Sequence, residues 1–177
     1  MRVLSAVLGA VMVLAVPGVP ERQGSAQAVV LARTVGVDIT VPAAVNLGTG
    51  FVGGVLTGQL GTVAVRDQRG PVNPNTWIAT VSATAFVTGV GGADRTIAAG
   101  QVSYWSGPAV RTTGGGILLP GQLTSLQAVS LGATREAFRK TAGSGNNTVE
   151  WVPTIRISIP AGVVAGTYRG TITHSVA

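Results

Sequence analysis

The stretch Trp151–Ala177, WVPTIRISIPAGVVAGTYRGTITHSVA, decides the fold of this chain. From Trp151 to Ile159 one side carries Trp, Pro and Ile, and the other side carries chiefly Thr, Arg and Ser. The same alternation returns from Tyr168 to Val176. A period of two with one apolar face is typical of half-buried strands. Because a turn-forming Pro160–Gly162 separates the two halves, we predict the closing antiparallel pair of a sheet.

Earlier stretches show the same period, at Thr34–Val41, Gly61–Asp67 and Trp77–Phe86. Connections rich in Gly, Pro and Asn separate them, and no stretch predicts a long helix. About eight short strands with one polar face favour two sheets packed face to face. We therefore predict an all-β fold, a single antiparallel β-sandwich of the immunoglobulin-like, Greek-key type. Trp77 is expected to anchor its core, contributing about 3 kcal/mol on burial.

Two stretches resist this pattern. Leu123–Leu131 fits a helix and a strand equally well, so its structure stays open. Gly132–Ala142 holds the densest charge of the chain, at Arg135, Glu136, Arg139 and Lys140. One helical turn would bring Arg135 and Arg139 together and pack Phe138 inward. We predict a surface turn there, and a binding patch is the alternative.

The N-terminus resembles an export signal. Arg2 precedes an apolar run, Val3–Val16, and prolines then lead to the small-residue pattern Ala26–Ala28. Such an order is typical of a secretory signal peptide, since a membrane anchor needs about 20 apolar residues. We predict that residues 1–28 are cleaved after Ala28 and that residues 29–177 form one domain. No cysteine is present, so its stability must come from packing and backbone hydrogen bonds.

Charge and composition narrow the classes of partner. The net charge is +6, but only 10% of residues are charged. Outside the membrane this favours anionic wall polymers or lipid headgroups over nucleic acid. The glycines Gly48, Gly50 and Gly53 form a GxGxxG pattern, but the glycines after it disfavour the helix that a dinucleotide site needs. We interpret that segment as a turn.

Few residues are suited to catalysis or metal binding. The chain has one histidine and no Cys/His pair at metal-ligand spacing, so we predict neither a metal site nor a cofactor. Asp67 and Asp94 are expected to accept hydrogen bonds from turn backbone rather than to bind calcium. His174 lies on the apolar face of its strand and no GxSxG elbow occurs, so we predict that the protein is not an enzyme.

The aromatic residues are the remaining candidates for a binding site, because exposed aromatic rings can stack on sugars. The residues concerned are Trp77, Tyr104, Trp105 and Trp151. The alternative is that each tryptophan packs in the core or at its rim.

Several motifs carry a family resemblance that covers about Ile39 to Ala177. A Trp-x-x-x-Val-Ser strand leads to Phe86, VSYWSGPA follows at Val102–Ala109, SGNN-x-x-x-W-x-P follows at Ser144–Pro153, and the chain ends in IPAG…AGTYRGTITHSVA. In these segments the chain resembles the WxL-type cell-surface domains of Gram-positive bacteria, and more closely the secreted actinobacterial proteins related to them. The resemblance implies a β-fold and non-covalent attachment to peptidoglycan.

The two tripeptides that the resemblance ties to wall attachment are both altered. The first is Trp77–Ile78–Ala79, and the second is His174–Ser175–Val176. The resemblance thus implies the fold more strongly than wall binding, with Trp77 and His174 as the residues at the family positions.

From these observations we expect a secreted, non-catalytic protein of the cell surface that binds peptidoglycan or another wall polymer non-covalently. A second hypothesis is an assembly subunit that binds a protein partner through an exposed sheet edge. A third is a secreted hydrolase with His174 as its base. Under each of these hypotheses we expect no membrane span in the mature chain.

Overall fold

A computed structural model describes the backbone of residues 4–14 and 36–177. Within the first segment it describes the side chains of Ala6, Leu8 and Gly9. The expected cleavage site after Ala28 lies outside the described residues, as do residues 1–3 and 15–28 of the predicted signal peptide.

The described residues are all-β. They contain no α-helix, and short 3₁₀ turns occur at Ala93–Arg95, Ala99–Gln101 and Ser125–Gln127. The strands are, in chain order, β1 Leu4–Leu14, β2 Val37–Thr40, β3 Ala44–Gly50, β4 Val55–Gln59, β5 Val63–Asp67, β6 Trp77–Ala83, β7 Phe86–Val87, β8 Thr96–Ile97, β9 Val102–Trp105, β10 Ala109–Thr113, β11 Ile117–Pro120, β12 Val129–Ser130, β13 Arg135–Ala142, β14 Asn147–Trp151, β15 Thr154–Ser158 and β16 Gly166–Val176.

These strands form three sheets. The largest has the order β11-β13-β6-β16-β1-β3, with β7 and β8 attached beside β16. The second has the order β10-β14-β5-β2, and the third has the order β12-β9-β15-β4. Every pair in the described residues is antiparallel except β1 with β3. The predicted all-β class is therefore confirmed.

The two halves of the Trp151–Ala177 stretch are strands with the predicted faces, but they do not pair. Strand β15 pairs with β4 and β9 in the third sheet, while β16 pairs with β1, β6 and β7 in the largest sheet. The prediction of a closing hairpin was wrong because alternation reports which side of a strand is buried, not which strand lies beside it. Two strands in different sheets can turn their apolar faces to the same core.

The charged stretch is also a strand, and the predicted surface turn was wrong. Strand β13 lies between β11 and β6 in the largest sheet. Its register with β6 shifts between Glu136 and Phe138, so the consecutive residues Ala137 and Phe138 are both buried. A β-bulge of this kind breaks the strict alternation by which a strand is recognised in sequence. The inward packing predicted for Phe138 is confirmed.

The stretches left as connections contain further strands. Ser106 to Pro120 holds β10 and β11, and Gly48 and Gly50 belong to β3. No helix follows the GxGxxG pattern, because β4 begins directly after the turn at Gly53. The ambiguous Leu123–Leu131 contains a 3₁₀ turn and then the two-residue strand β12.

One continuous hydrophobic core joins residues from all three sheets. Its largest members are aromatic and fully buried, namely Trp77, Tyr104, Phe86, Phe138, Trp151 and Tyr168. The expectation that Trp77 anchors the core is confirmed, since its side chain is 1% exposed. The core also includes Ala6 and Leu8 of β1.

Gly170 in β16 lets the ring of Phe86 lie flat on the sheet. A Cβ atom at residue 170 would lie 2.9 Å from two ring carbons of Phe86, closer than packed carbon atoms tolerate. Glycine is thus required at this position by the neighbouring ring rather than by the backbone conformation.

We predict that Gly170→Ala lowers the free energy of unfolding by about 1–3 kcal/mol, because an added methyl group overpacks the core. Chemical denaturation measures the change. Gly162→Ala is the matched control, since no atom lies within 4 Å of a Cβ at that position. Equal stability of the two variants would contradict the proposed packing of Phe86 on Gly170.

Candidate functional site

The residues selected from the sequence occupy two kinds of position. Trp77, Tyr104, Trp151 and His174 are buried in the core, whereas Trp105 is half-buried at the end of β9. Tyr104, Trp151 and His174 come together in space, and Trp77 belongs to a separate group. Among these five selected residues, Trp105 is the one that solvent can reach.

The first group, which we call the histidine cluster, consists of His174, Tyr104, Trp151 and Phe138. Strands β9, β13, β14 and β16 contribute one residue each. The Tyr104 hydroxyl lies 3.2 Å from His174 Nε2 and accepts a hydrogen bond from Trp151 Nε1 at 3.3 Å. The Phe138 ring stacks on Trp151 with centroids 4.9 Å apart. The cluster therefore joins the three sheets at the centre of the core.

His174 is held neutral in this cluster. Burial lowers its pKa from 6.5 to about 4, because a charged imidazolium loses its hydration in the core. Its Nδ1 has no hydrogen-bond partner among the described residues. Burial also raises the pKa of Tyr104 well above its usual range, although the hydrogen bond from Trp151 opposes that shift. Since no solvent reaches either group, proton exchange with a substrate would require these packed side chains to move.

The second group, which we call the aspartate cluster, consists of Asp67, Arg69, Asn147 and Trp77. Asp67 is fully buried at the end of β5 and accepts hydrogen bonds from the backbone N–H and Nε of Arg69, both at 3.0 Å, and from Nη2 at 2.9 Å. Asn147 Nδ2 donates to the second carboxylate oxygen at 3.3 Å, and Trp77 Nε1 donates to Asn147 Oδ1 at 3.2 Å. These bonds tie β5, β6 and β14 together.

Opposing effects act on the carboxyl group of Asp67. Burial alone would raise its pKa, but the hydrogen bonds and the positive charge of Arg69 outweigh burial, so the pKa of Asp67 is lowered. The prediction that Asp67 accepts hydrogen bonds from turn backbone is confirmed by the bond from Arg69 N–H. The sequence indicated the turn but not the side-chain partner Asn147, which lies 80 residues further along the chain.

Lys140 lies next to the aspartate cluster with its side chain buried. Its Nζ donates a hydrogen bond to Asn75 Oδ1, and Asn75 Nδ2 donates to the carbonyl oxygens of Gly70 and Gly145. Burial lowers the pKa of Lys140, whereas the negative charge of Asp67 acts to raise it. The lysine was counted with the surface charge in the sequence, but its position on the inward side of β13 makes it part of the core.

The surface carries most of the remaining charge and is cationic. Seven arginines are exposed in the described residues, at positions Arg66, Arg95, Arg111, Arg135, Arg139, Arg156 and Arg169. Asp94 is the exposed carboxylate among the same residues, because Asp67 is buried and Asp38, Glu136 and Glu150 are half-buried. The two fully buried charges, Asp67 and Lys140, cancel, so the described surface keeps the positive excess of the sequence.

The described residues contain no group of three His, Cys, Asp or Glu side chains able to hold a metal ion. Within the same residues no helix is long and apolar enough to cross a membrane. No family model, no curated protein and no solved structure matches this chain. The resemblance to WxL-type domains therefore depends on the sequence motifs alone.

We predict that acid destabilises the protein through His174 between pH 6.5 and 4. The unfolded histidine takes up a proton near pH 6.5, but the folded one does so only near pH 4, so stability is complete above this window and is lost as the pH falls through it. The loss amounts to about 3 kcal/mol, at about 1.4 kcal/mol for each tenfold change in proton affinity.

Urea denaturation at a series of pH values measures this loss. The control is His174→Gln, which cannot be protonated and should show little change in stability across the same window. If the two proteins lose equal stability between pH 6.5 and 4, the histidine is not the group responsible. Asp67 acts in a lower range, because its stabilising charge is lost only as the pH falls below 3.8.

We also predict that Asp67→Asn lowers the free energy of unfolding by about 3 kcal/mol, because Arg69 keeps its charge and loses its buried partner. Glu150→Gln is the matched control. Glu150 pairs with Arg111 at 3.8 Å on the surface, and such pairs contribute less than about 1 kcal/mol. Denaturant titration compares the two variants, and a loss for Asp67→Asn no larger than that for Glu150→Gln would argue against a structural role.

Proposed function

We propose that the protein is exported and acts at the cell surface by binding an anionic wall polymer, without catalysis. One observation supports this proposal above the others: the described surface exposes seven arginines and one carboxylate. A polymer that repeats negative charge along its length can contact several such arginines at once, which multiplies weak single contacts. The predicted signal peptide and the family resemblance agree with this location.

The proposed architecture is a single β-sandwich. Its support is the continuous core, to which strands of all three sheets contribute. The histidine and aspartate clusters lie within that core and join the sheets, so we assign them to stability. In this proposal His174, Trp77, Tyr104 and Trp151 maintain the fold, and binding belongs to the exposed arginines with Trp105 as the available aromatic.

Arg66, Arg156 and Arg169 are suited to test the proposal. They are exposed, they lie on three different sheets, and none forms a salt bridge within 4.0 Å among the described residues. Replacing them therefore changes the surface charge without removing an ion pair from the fold.

We predict that the triple variant R66Q/R156Q/R169Q binds purified sacculi with an affinity at least about tenfold lower than that of the unchanged protein at low salt. A basic residue near an anionic surface contributes about 1 kcal/mol, and salt screens that attraction. The measurement is the fraction of protein that sediments with sacculi as salt is raised.

The matched control is R66K/R156K/R169K, which keeps the three positive charges and should retain most of the binding. Sacculi stripped of anionic polymers give a second control, since the unchanged protein should then remain in the supernatant. Equal sedimentation of the Gln and Lys variants would refute charge as the source of binding. Protein that never sediments would refute wall binding itself.

A second candidate function, binding of a protein partner at a sheet edge, is favoured by a separate observation. Strand β1 of the largest sheet consists of residues of the predicted signal peptide, so cleavage of that peptide would leave the edge of β16 open to a partner.

A further inference from the structure

Strand β1 occupies a position with hydrogen-bonding neighbours on both sides. On one side it pairs antiparallel with the whole of β16, from Leu4 opposite Val176 to Leu14 opposite Gly166. On the other side it pairs in parallel with β3, from Gly9 opposite Ala44 to Leu14 opposite Gly50. The strand is therefore inserted between two neighbours rather than added at an outer edge.

The same strand fills part of the hydrophobic core. Leu8, which lies opposite Ile172, is completely buried, and Ala6, which lies opposite His174, is 4% exposed. Gly9 donates its N–H to the carbonyl of Ala43, and a Cβ at residue 9 would lie 3.4 Å from that oxygen. The position therefore holds a small buried residue and, two places on, a large buried apolar residue.

The sequence of β1 lies inside the predicted signal peptide, so export would remove the strand. The mature chain would then expose the backbone of β16 along its full length and would lose Leu8 from its core. Unpaired strand edges bind other strands, and buried backbone groups without partners are unfavourable. The folded, exported protein consequently needs a replacement strand.

We propose that the position between β16 and β3 is an acceptor site for an extended strand supplied by a different exported polypeptide. This inference depends on the export step of the proposed function. The occupant is an unpaired terminal segment, because both of its backbone edges must form hydrogen bonds. The edge strand of another folded sheet has one edge already in use, so it does not fit.

Chain length argues against a second copy of this protein as the donor. After cleavage at Ala28, the eight residues from Val29 to Gly36 precede β2. Extended, they span about 26 Å, whereas the eleven-residue ladder on β16 spans about 36 Å. The tail of a second copy is therefore too short to fill the site. The donor carries a small residue and, two places on, a large apolar residue, in the order of Ala6 and Leu8.

The test begins with the full chain, into which a protease recognition sequence is inserted between Arg22 and Gln23. The protein is cut after folding, then unfolded and refolded with an excess of a fluorescent peptide of residues 4–14 that carries two added lysines for solubility. We expect the labelled peptide to enter the cut protein and to raise its thermal unfolding midpoint. The uncut protein, refolded in the same way, should exclude the peptide.

The control is the same peptide with Leu8→Asp, which should bind at least about 100-fold more weakly because its carboxylate would be buried without a partner. Equal uptake of both peptides, or no uptake by the cut protein, would overturn the proposal. A stable dimer of the secreted protein that the peptide dissociates would also overturn it, since a second copy would then be the donor.

The two proposals fail separately. Intact-mass measurement of the protein recovered from culture medium gives its N-terminus. A secreted chain that retains Leu4–Leu14 contradicts the export step, and β1 is then a permanent strand of the domain. A protein that does not sediment with sacculi contradicts wall binding, and this outcome leaves the peptide result unaffected.

Discussion

The structure depends on the two-sided pairing of β16. This strand has β6 along one side and β1 along the other, and its inward side carries Tyr168, Ile172 and His174 into the core. Backbone groups buried at the centre of a sheet must all be paired, because an unpaired one loses its hydrogen bond to water and gains none in return. A strand in this position needs both neighbours at once. The order of strands in the largest sheet is therefore set by the pairing of β16 with β6 and β1.

Two buried polar groups give the core a fixed arrangement. In the aspartate cluster, a carboxylate without solvent is stabilised by four hydrogen bonds from Arg69 and Asn147. In the histidine cluster, a neutral imidazole meets a hydroxyl and an indole from two other sheets. Such groups accept few alternative packings, since any shift leaves a polar atom unpaired. The chain has no disulfide to align its sheets, and these contacts align them instead.

The sequence predicted local features well and long-range ones poorly. The buried side of β15 and β16 and the strand at Trp77 follow from alternation, which is a local property. Strand partners do not, which is why the expected hairpin of β15 and β16 is absent. At β13 the bulge places Ala137 and Phe138 on the same side, so the period that defines a strand is lost there. The stretch consequently resembled a turn.

In the candidate site, too, the sequence predicted the burial of single residues but not their long-range contacts. The burial of His174 follows from its place between Ile172 and Val176, but its contacts with Tyr104 and Trp151 connect residues far apart in the chain. The sequence did not indicate the hydrogen bond between Lys140 and Asn75, because a lysine in a charged stretch is ordinarily solvated. The distribution of charge also depends on the fold. The composition gave a positive balance, and the fold places seven of the described arginines, but one carboxylate, among the exposed residues.

The pairing of β6 with β16 has a consequence for the order of events during synthesis. These neighbours are separated by some 90 residues, and β16 is made after every other strand of its sheet. Long-range pairings form slowly because a large loop must close first. A growing chain therefore cannot complete its central sheet until β16 has left the ribosome. Until then β6 and β1 lack the strand that lies between them in the largest sheet.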